Sequence, residues 1–543
     1  MGAWDVVVIG SGAGGAPVAA RLAAAGMNVL LLERGKRFTK VQFEDRDEIE
    51  WCRRDRFVPS ILTDPHTRRG DAAAKANPTT DGWISSILGG GTIHMSGFFL
   101  RARREDTKLG TRLGEQGVAD HSAIDWAVPY DDIAKYYATV ERDVGVSGVA
   151  GGKLAPLGEH PIATRAEATA KKLGLPIERT PRAILTEARP DEDRQACAYR
   201  LVCASYGCPN DARGSTLVTY LRRGEKTGKL TVWTEALVTK LEKAAPDRVA
   251  GVRVKRLDKG GAEESVTAGT VVLAGGAIES ARLLLLSGDG FNPGNNVGKN
   301  LWFSLYVDVN GWFPKDTFPE VMTGSPFIHR SLMVGGALKP DEQKALGLDR
   351  AGMLDLLWQH DNPIHRAERL AIEGGGTLWG RALKDRIKEQ FTQGRTMLCE
   401  GFGESIPHAG AYVDLDPTTK DQHGLPVARL TYAHHARDRK VAEHLGKTGL
   451  AILKDMGAQK AFIRVGIGET LILQGGTTRF GNDAKDSVTS PEGTLHGMKN
   501  LYLTDGGVLP SSMTAPGTLT IVANALRVAD GILKIAGAGA AKP

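Results

Sequence analysis

The chain has 543 residues, 41% of them hydrophobic and 24% charged, with a formal net charge of +6. That length suffices for two or more globular domains, and the apolar content excludes a disordered chain. The charge is small for the length and the basic runs (Arg53, Arg54, Arg56; Arg101, Arg103, Arg104) alternate with acids, which argues against a nucleic-acid partner.

The first element is a β-branched run over residues 5–9, the composition of a buried parallel strand. It leads into Gly10, Ser11, Gly12, Ala13, Gly14 and Gly15, which satisfy G-x-G-x-x-G. A helix follows, with Ala16, Ala19, Ala20, Ala23 and Ala24 where it must lie close to a sheet, and Gly26 ends it. Residues 28–32 predict a second strand, closed by Glu33 and Arg34. Gly10 serves the tight turn, Gly12 lets backbone approach a pyrophosphate, and Gly15 lets helix and strand pack. The helix N-terminus offers N–H groups to phosphates, and Glu33 can accept from a ribose diol. This strand–loop–helix context predicts a dinucleotide and leaves NAD and FAD both open.

Residues 34–55 read as surface helix and loop, and 59–80 as a mobile excursion rich in Pro, Gly and charge. Order returns over 83–101. A helix is predicted over 133–144, and the glycine-rich 145–161 reads as a crossing between domains. Residues 230–254 alternate like an antiparallel meander. An apolar strand at 270–274 is followed by Gly275, Gly276 and a helix over 278–286. Residues 298–430 are mixed, with a polar helical insert at 367–394. An amphipathic helix is predicted over 440–455, a strand over 501–504 and a last helix over 519–532. A sheet that begins at residue 5, resumes near 271 and finishes near 504 implies an α/β fold. Its Rossmann-like nucleotide-binding domain (1–160, 210–298 and 465–543) is interrupted by a substrate domain with a mixed or antiparallel sheet and helices (161–209 and 299–464).

Four places in this order resemble the glucose–methanol–choline (GMC) flavoprotein oxidoreductases, nearest the sugar and aminoglycoside dehydrogenases and pyranose oxidase. They are the N-terminal fingerprint; the loop 89–97, GGGTIHMSG; Glu404, Ser405, Ile406 and Pro407 followed by Asp421 and Gly424, Leu425, Pro426; and residues 476–481, GTTRFG, through Asn500, Leu501, Tyr502, Leu503, Thr504, Asp505 and Gly506 to Leu519, Thr520 and Ile521. The resemblance implies FAD in extended form. Its pyrophosphate would lie on Gly10, Ser11, Gly12, Ala13 and Gly15, and its ribose on Glu33 with Arg34 beside it. Gly90, Gly91, His94 and Gly97 would lie along the flavin. Asp505, Gly506 and Thr518 would reach its ribityl and ring, and Val238 and Ala274 the adenosine end. It also implies a small-molecule substrate, a sugar, glycoside or related polar natural product, oxidised at a hydroxyl by hydride transfer to flavin N5. Electrons would then pass to oxygen or a redox carrier.

Family members place a His three residues before the Gly of the C-terminal Gly-Thr motif, and a second His or Asn before the last helix. Here those positions hold Leu473 and Pro516, neither of which accepts a proton. Three readings stay open: another group supplies the base, such as Gln474 positioning a water or a His of the inserted domain; the substrate is an amine, an acidic alcohol or an activated C–H needing no strong base, with amine oxidation, desaturation or reduction as the chemistry; or the site is redox-degenerate and only binds. In pyranose oxidase a His in the loop matching His94 is covalently joined to FAD, so His94 is such an attachment point, a packing and hydrogen-bonding residue beside the flavin, or an unrelated turn histidine. Some relatives hold an iron–sulfur cluster on three cysteines near Cys197, Cys203 and Cys208; buried structural thiols and a redox pair are the alternatives. No apolar run reaches the roughly 18 residues of a membrane span. Five cysteines and a first strand at residue 5 lead us to expect a cytoplasmic protein.

Overall fold

The computed structural model describes residues 4–44, 57–82, 84–158, 160, 162–199, 207–318, 330–332, 338–347, 349–357, 363–372, 376–465 and 471–537. The apolar runs build a sheet in the order Leu230–Trp233, Val29–Leu32, Trp4–Ile9, Ala262–Leu273, Arg248–Arg256, Ala236–Ala245, with Leu501–Leu503 also on Ala262–Leu273. The first four strands and Leu501–Leu503 run parallel where they meet. Val6, Val7, Val8, Leu30, Leu31, Val271 and Val272 are wholly buried, as parallel strands covered on both faces must be. The helices Gly15–Ala24 and Thr518–Ile535 belong to the same core, and Arg21 Nε donates to Asp530 between them at 2.8 Å.

Two stretches depart from expectation. The meander predicted over 230–254 divides: Leu230–Trp233 joins the parallel sheet beside Val29–Leu32, and only Ala236–Ala245 and Arg248–Arg256 form a hairpin. Residues 59–80 are no loose excursion. His66–Arg69 and Asn77–Thr79 pair with each other, and His66–Arg69 runs parallel to Pro426–Thr431, which pairs with Tyr412–Lys420. Thr67 Oγ1 donates to Asp416 at 2.7 Å. The partners of His66–Arg69 lie about 350 residues downstream, so local composition does not show them.

A second large sheet is antiparallel, in the order Lys460–Val465, Leu305–Pro314, Gly394–Gly403, Met353–Leu357, Arg330–Leu332, Glu178–Arg179. Side chains alternate between its faces. Leu305, Val307, Val309, Met397, Cys399, Leu354 and Leu356 pack on Val441, Leu445, Ile452 and Leu453 of the helix Ala436–Asp455. The other face carries Tyr306, Asp308, Asn310, Thr396, Leu398, Glu400, Phe402 and Asp355, and much of it borders the cavity described next.

Candidate active site

A cavity of about 600 Å³ runs from the end of Trp4–Ile9 to the antiparallel sheet, within the size range of small-molecule and cofactor sites. Gly10, Ser11, Gly12, Ala13, Glu33 and Arg34 line one end, with Val238 and Ala274. Gly90, Gly91, His94, Gly97, Asp505, Gly506 and Thr518 line its course. Leu473, Gln474 and Pro516 lie toward the sheet, with Tyr306, Glu400 and Phe402. Of the residues named from the sequence for the cofactor, Gly15 is not on the wall. A Cβ there would come within 2.0 Å of the Gly10 carbonyl oxygen, so Gly15 closes helix against strand behind the loop.

The loop geometry follows from its glycines. Gly10 has φ +95°, and a Cβ on it would lie 2.3 Å from the Ala274 carbonyl oxygen. Gly12 has only Gly90 Cα within reach of a Cβ, at 4.0 Å, so its face stays open for a ligand. Gly14, not singled out by the sequence, packs against the end of Leu501–Leu503: a Cβ would meet the Thr504 carbonyl oxygen at 2.7 Å.

Ser11 is the junction. Its N–H and hydroxyl donate to Glu33 Oε2 at 3.2 and 2.6 Å, and the Gly89 N–H donates to its Oγ at 2.8 Å. Glu33 therefore has a second task beside the ribose contact expected of it. It ties the second strand to the phosphate loop, and Gly35 N–H donates to its other oxygen at 2.9 Å. Burial pushes its carboxyl above the usual value, against those hydrogen bonds. Beside it, Arg34 Nη1 donates to Asp64 at 3.0 Å, while its buried Nη2 has no partner among the described residues.

Asp505 accepts from Ser280 Oγ at 2.5 Å, Gly507 N–H at 2.8 Å and Gly276 N–H at 3.0 Å, which fixes the third strand end on the cavity. His94 bonds through Nε2 to Ser85 Oγ at 2.7 Å, and its ring stacks on Phe57 at 5.8 Å and 10°.

The far end departs from the expected chemistry. Leu473 holds φ +57°, a conformation rare for a bulky side chain and stored most often at functional sites. It packs with Ile472 and Ala515 on Phe98, Tyr306, Met353 and Phe402. Gln474 pairs with Phe303 in a two-residue ladder. Among the described lining residues the one histidine is His94. Instead, an acid stands inside each of three apolar strands: Asp308, Asp355 and Glu400. Sequence reasoning passed over these. Their signal was an ionisable residue in an otherwise apolar strand, which needs a partner or a function. Arg182, also missed, donates from Nη2 to Asp355 at 2.6 Å and from Nη1 to the Ser96 carbonyl at 3.0 Å. It stacks on Phe98 at 3.9 Å and so joins the 89–97 loop to the antiparallel sheet.

Cys197 and Cys208 pack beside Leu157, Ile184, Leu185 and Ala212; Cys203 lies outside the described residues. Among the described residues no three His, Cys, Asp or Glu side chains gather as a metal site, and no helix is long and apolar enough to cross a membrane.

The site fits an extended dinucleotide. Gly12 leaves room beside the start of the helix Gly15–Ala24, and Arg34 Nη2, without a partner among the described residues, offers a donor on the same wall. Residues 67–305 and 407–525 match the models of the GMC oxidoreductase N- and C-terminal regions, and residues 5–41 match that of an FAD binding domain. The chain is 28% identical to the 6'''-hydroxyparomomycin C oxidase of Streptomyces lividus, over 97% of this chain and 91% of that one. It is 26% identical to the 2-methyl-1,2-propanediol dehydrogenase of Mycolicibacterium austroafricanum, over 97% and 94%. Its fold is that of pyridoxine 4-oxidase from Mesorbium loti, with TM-score 0.60 and 17% identity over 97% of this chain and 99% of that one.

Proposed function

The chain belongs to the GMC oxidoreductase family, a FAD-dependent enzyme family, and from that premise we propose that it oxidises a hydroxyl of a sugar, glycoside or related polar natural product. The observation that carries this reading is the continuity of the cavity. One wall is the dinucleotide loop, and the other is a sheet face bearing Tyr306, Asn310, Thr396 and Glu400, groups able to hydrogen-bond a polyol. Bound FAD supplies the two-electron acceptor, taking hydride at N5 of its ring. Gly10, Ser11, Gly12 and Ala13 would hold its phosphates, Glu33 and Arg34 its ribose end, and Gly90, Gly91, Gly97, Asp505, Gly506 and Thr518 its flavin half, all of them on the cavity wall. His94, held between Ser85 and Phe57, lies along the same half; yellow colour retained by acid-precipitated protein, and lost in His94→Ala, would mark it as a covalent attachment point.

The remaining expectations belong to this reading. The substrate domain comprises 161–209 and 299–464, the electrons pass to oxygen or a redox carrier, and the protein works in the cytoplasm. The six-stranded sheet supports the division, its strands lying within those two segments but for Val465, while the ladder of His66–Arg69 with Pro426–Thr431 crosses it. The test is to mix the yellow protein anaerobically with paromomycin, glucose and 2-methyl-1,2-propanediol and follow loss of the flavin absorbance. Bleaching by one of them is the expected result. Bleaching by benzylamine alone would favour the altered chemistry that Leu473 and Pro516 suggest. A dithionite-reducible flavin that none of them bleaches would mean a binding protein.

A further inference from the structure

Three acids stand in one row across the antiparallel sheet. Asp308 lies opposite Glu400, and Glu400 opposite Asp355. Cross-strand partners share a face, so all three stand on the side that Tyr306 and Phe402 turn to the cavity. Like charges directly opposed are unfavourable, and each acid has a different partner. Arg182 donates to Asp355 at 2.6 Å, both side chains being at most 1% exposed. Asn310 Nδ2 donates to Asp308 at 2.6 Å. The Tyr306 hydroxyl donates to Glu400 Oε1 at 2.9 Å.

Of the three, Glu400 is the one on the cavity wall. Its positioning partner Tyr306 belongs to the cluster on which Leu473 packs, and the Leu473 carbonyl accepts from the N–H of Ser304, two residues before Tyr306, at 3.1 Å; Leu473 is the position at which the family resemblance puts a proton acceptor. Glu400 and Leu473 therefore line the same cavity, joined through Tyr306 and the cluster around it.

We propose that Glu400 is the catalytic base of this enzyme, receiving the substrate's hydroxyl proton at Oε2 while Tyr306 positions the carboxylate through Oε1. The proposal rests on the functional reading above. In the step, the substrate O–H breaks and its proton passes to Glu400. The carbonyl C=O forms as the carbinol hydrogen leaves with its bonding pair to oxidised FAD. The carboxyl returns the proton to solvent when oxygen or a carrier reoxidises the cofactor. Tyr306 is a positioning residue, acting only through Glu400.

The surroundings fix the pH dependence. Tyr306 and Asp308 face Glu400 from one neighbouring strand and Asp355 from the other, with Arg182 beyond it. Arg366 and Arg369 line the same cavity from the helix Pro363–Leu370, and Cys399 lies on the opposite sheet face. Burial, then Asp355 and Asp308, push the Glu400 carboxyl up to about 8, against the Tyr306 hydrogen bond and Arg182. The base form thus grows as pH rises toward 8.

The experiment uses the FAD-loaded protein. Infrared titration of the wild type is expected to show a carboxylic acid C=O band lost as pH rises through about 8, and absent from Glu400→Gln. With whichever of paromomycin, glucose or 2-methyl-1,2-propanediol bleaches the wild type, Glu400→Gln is expected to slow anaerobic flavin reduction by about 10²- to 10⁴-fold. Tyr306→Phe is expected to fold like the wild type and move the rate midpoint to higher pH. Asp308→Asn is expected to move it lower, a shift that a purely structural role would not produce. A Glu400→Gln protein that reduces its flavin at the wild-type rate overturns the proposal and leaves the functional reading standing. So does a Tyr306→Phe protein with an unmoved pH profile, the deciding variant if Glu400→Gln does not fold. A wild-type flavin that no CH–OH compound bleaches overturns the functional reading, and the assignment to Glu400 with it.

Discussion

At the scale of single residues, the phosphate loop separates two uses of glycine. Gly10 and Gly26 have nearly equal φ, +95° and +93°, yet a Cβ on Gly26 meets nothing within 4 Å. Gly26→Ala should cost only the left-handed backbone term, ~1–2 kcal/mol, and keep the yellow colour. Gly10→Ala should yield colourless protein, because its Cβ collides with the Ala274 carbonyl; flavin absorbance after purification distinguishes them. Ser11→Ala removes a hydroxyl that donates to Glu33 and accepts from Gly89. A bond to a charged group is worth about 1.5–3 kcal/mol, so FAD release, followed by flavin fluorescence, should become easier by tenfold or more. Glu400 also marks stability. Its folded carboxyl lies at about 8 against an ordinary value of 4.5. The folded state therefore keeps a proton that the unfolded chain has lost, and stability falls as pH rises between those values. Melting curves from pH 4.5 to 8 should fall more steeply for the wild type than for Glu400→Gln.

At the scale of elements, the first strand, its loop and its helix were legible because all their information is local: a β-branched run, glycines at fixed offsets, alanines on one face. The helix Ala436–Asp455 announced itself through its 3.6-residue period. The hairpin of His66–Arg69 and Asn77–Thr79 did not, since polar strands are recognised only by the partner they pair with. The acid row was equally hidden. Each of Asp308, Asp355 and Glu400 is one charge in its own strand, and only the register of Leu305–Pro314, Gly394–Gly403 and Met353–Leu357 lines them up. Arg182 connects this sheet to the 89–97 loop. Arg182→Met leaves Asp355 buried without its cation and should destabilise by about 3–5 kcal/mol. The double change with Asp355→Leu should recover most of the loss, which denaturant unfolding of the four proteins measures.

At the scale of the whole molecule, the cavity is walled by both large sheets, so ligand and fold are linked. FAD at one hundred times its dissociation constant should stabilise the folded state by about 2.7 kcal/mol. It should also slow proteolysis within both sheets together, read by limited digestion with and without added FAD. By itself the sequence determined the dinucleotide loop, the family and the loss of the usual histidine at Leu473 and Pro516, because these are properties of residue identity at fixed spacing. The tertiary structure alone decided that Glu33 is shared with Ser11, that Gly15 packs behind the loop, and that the Glu400 carboxyl lines the same cavity as the positions the histidine left. Those facts depend on distances between residues tens to hundreds of positions apart, set by strand register and packing.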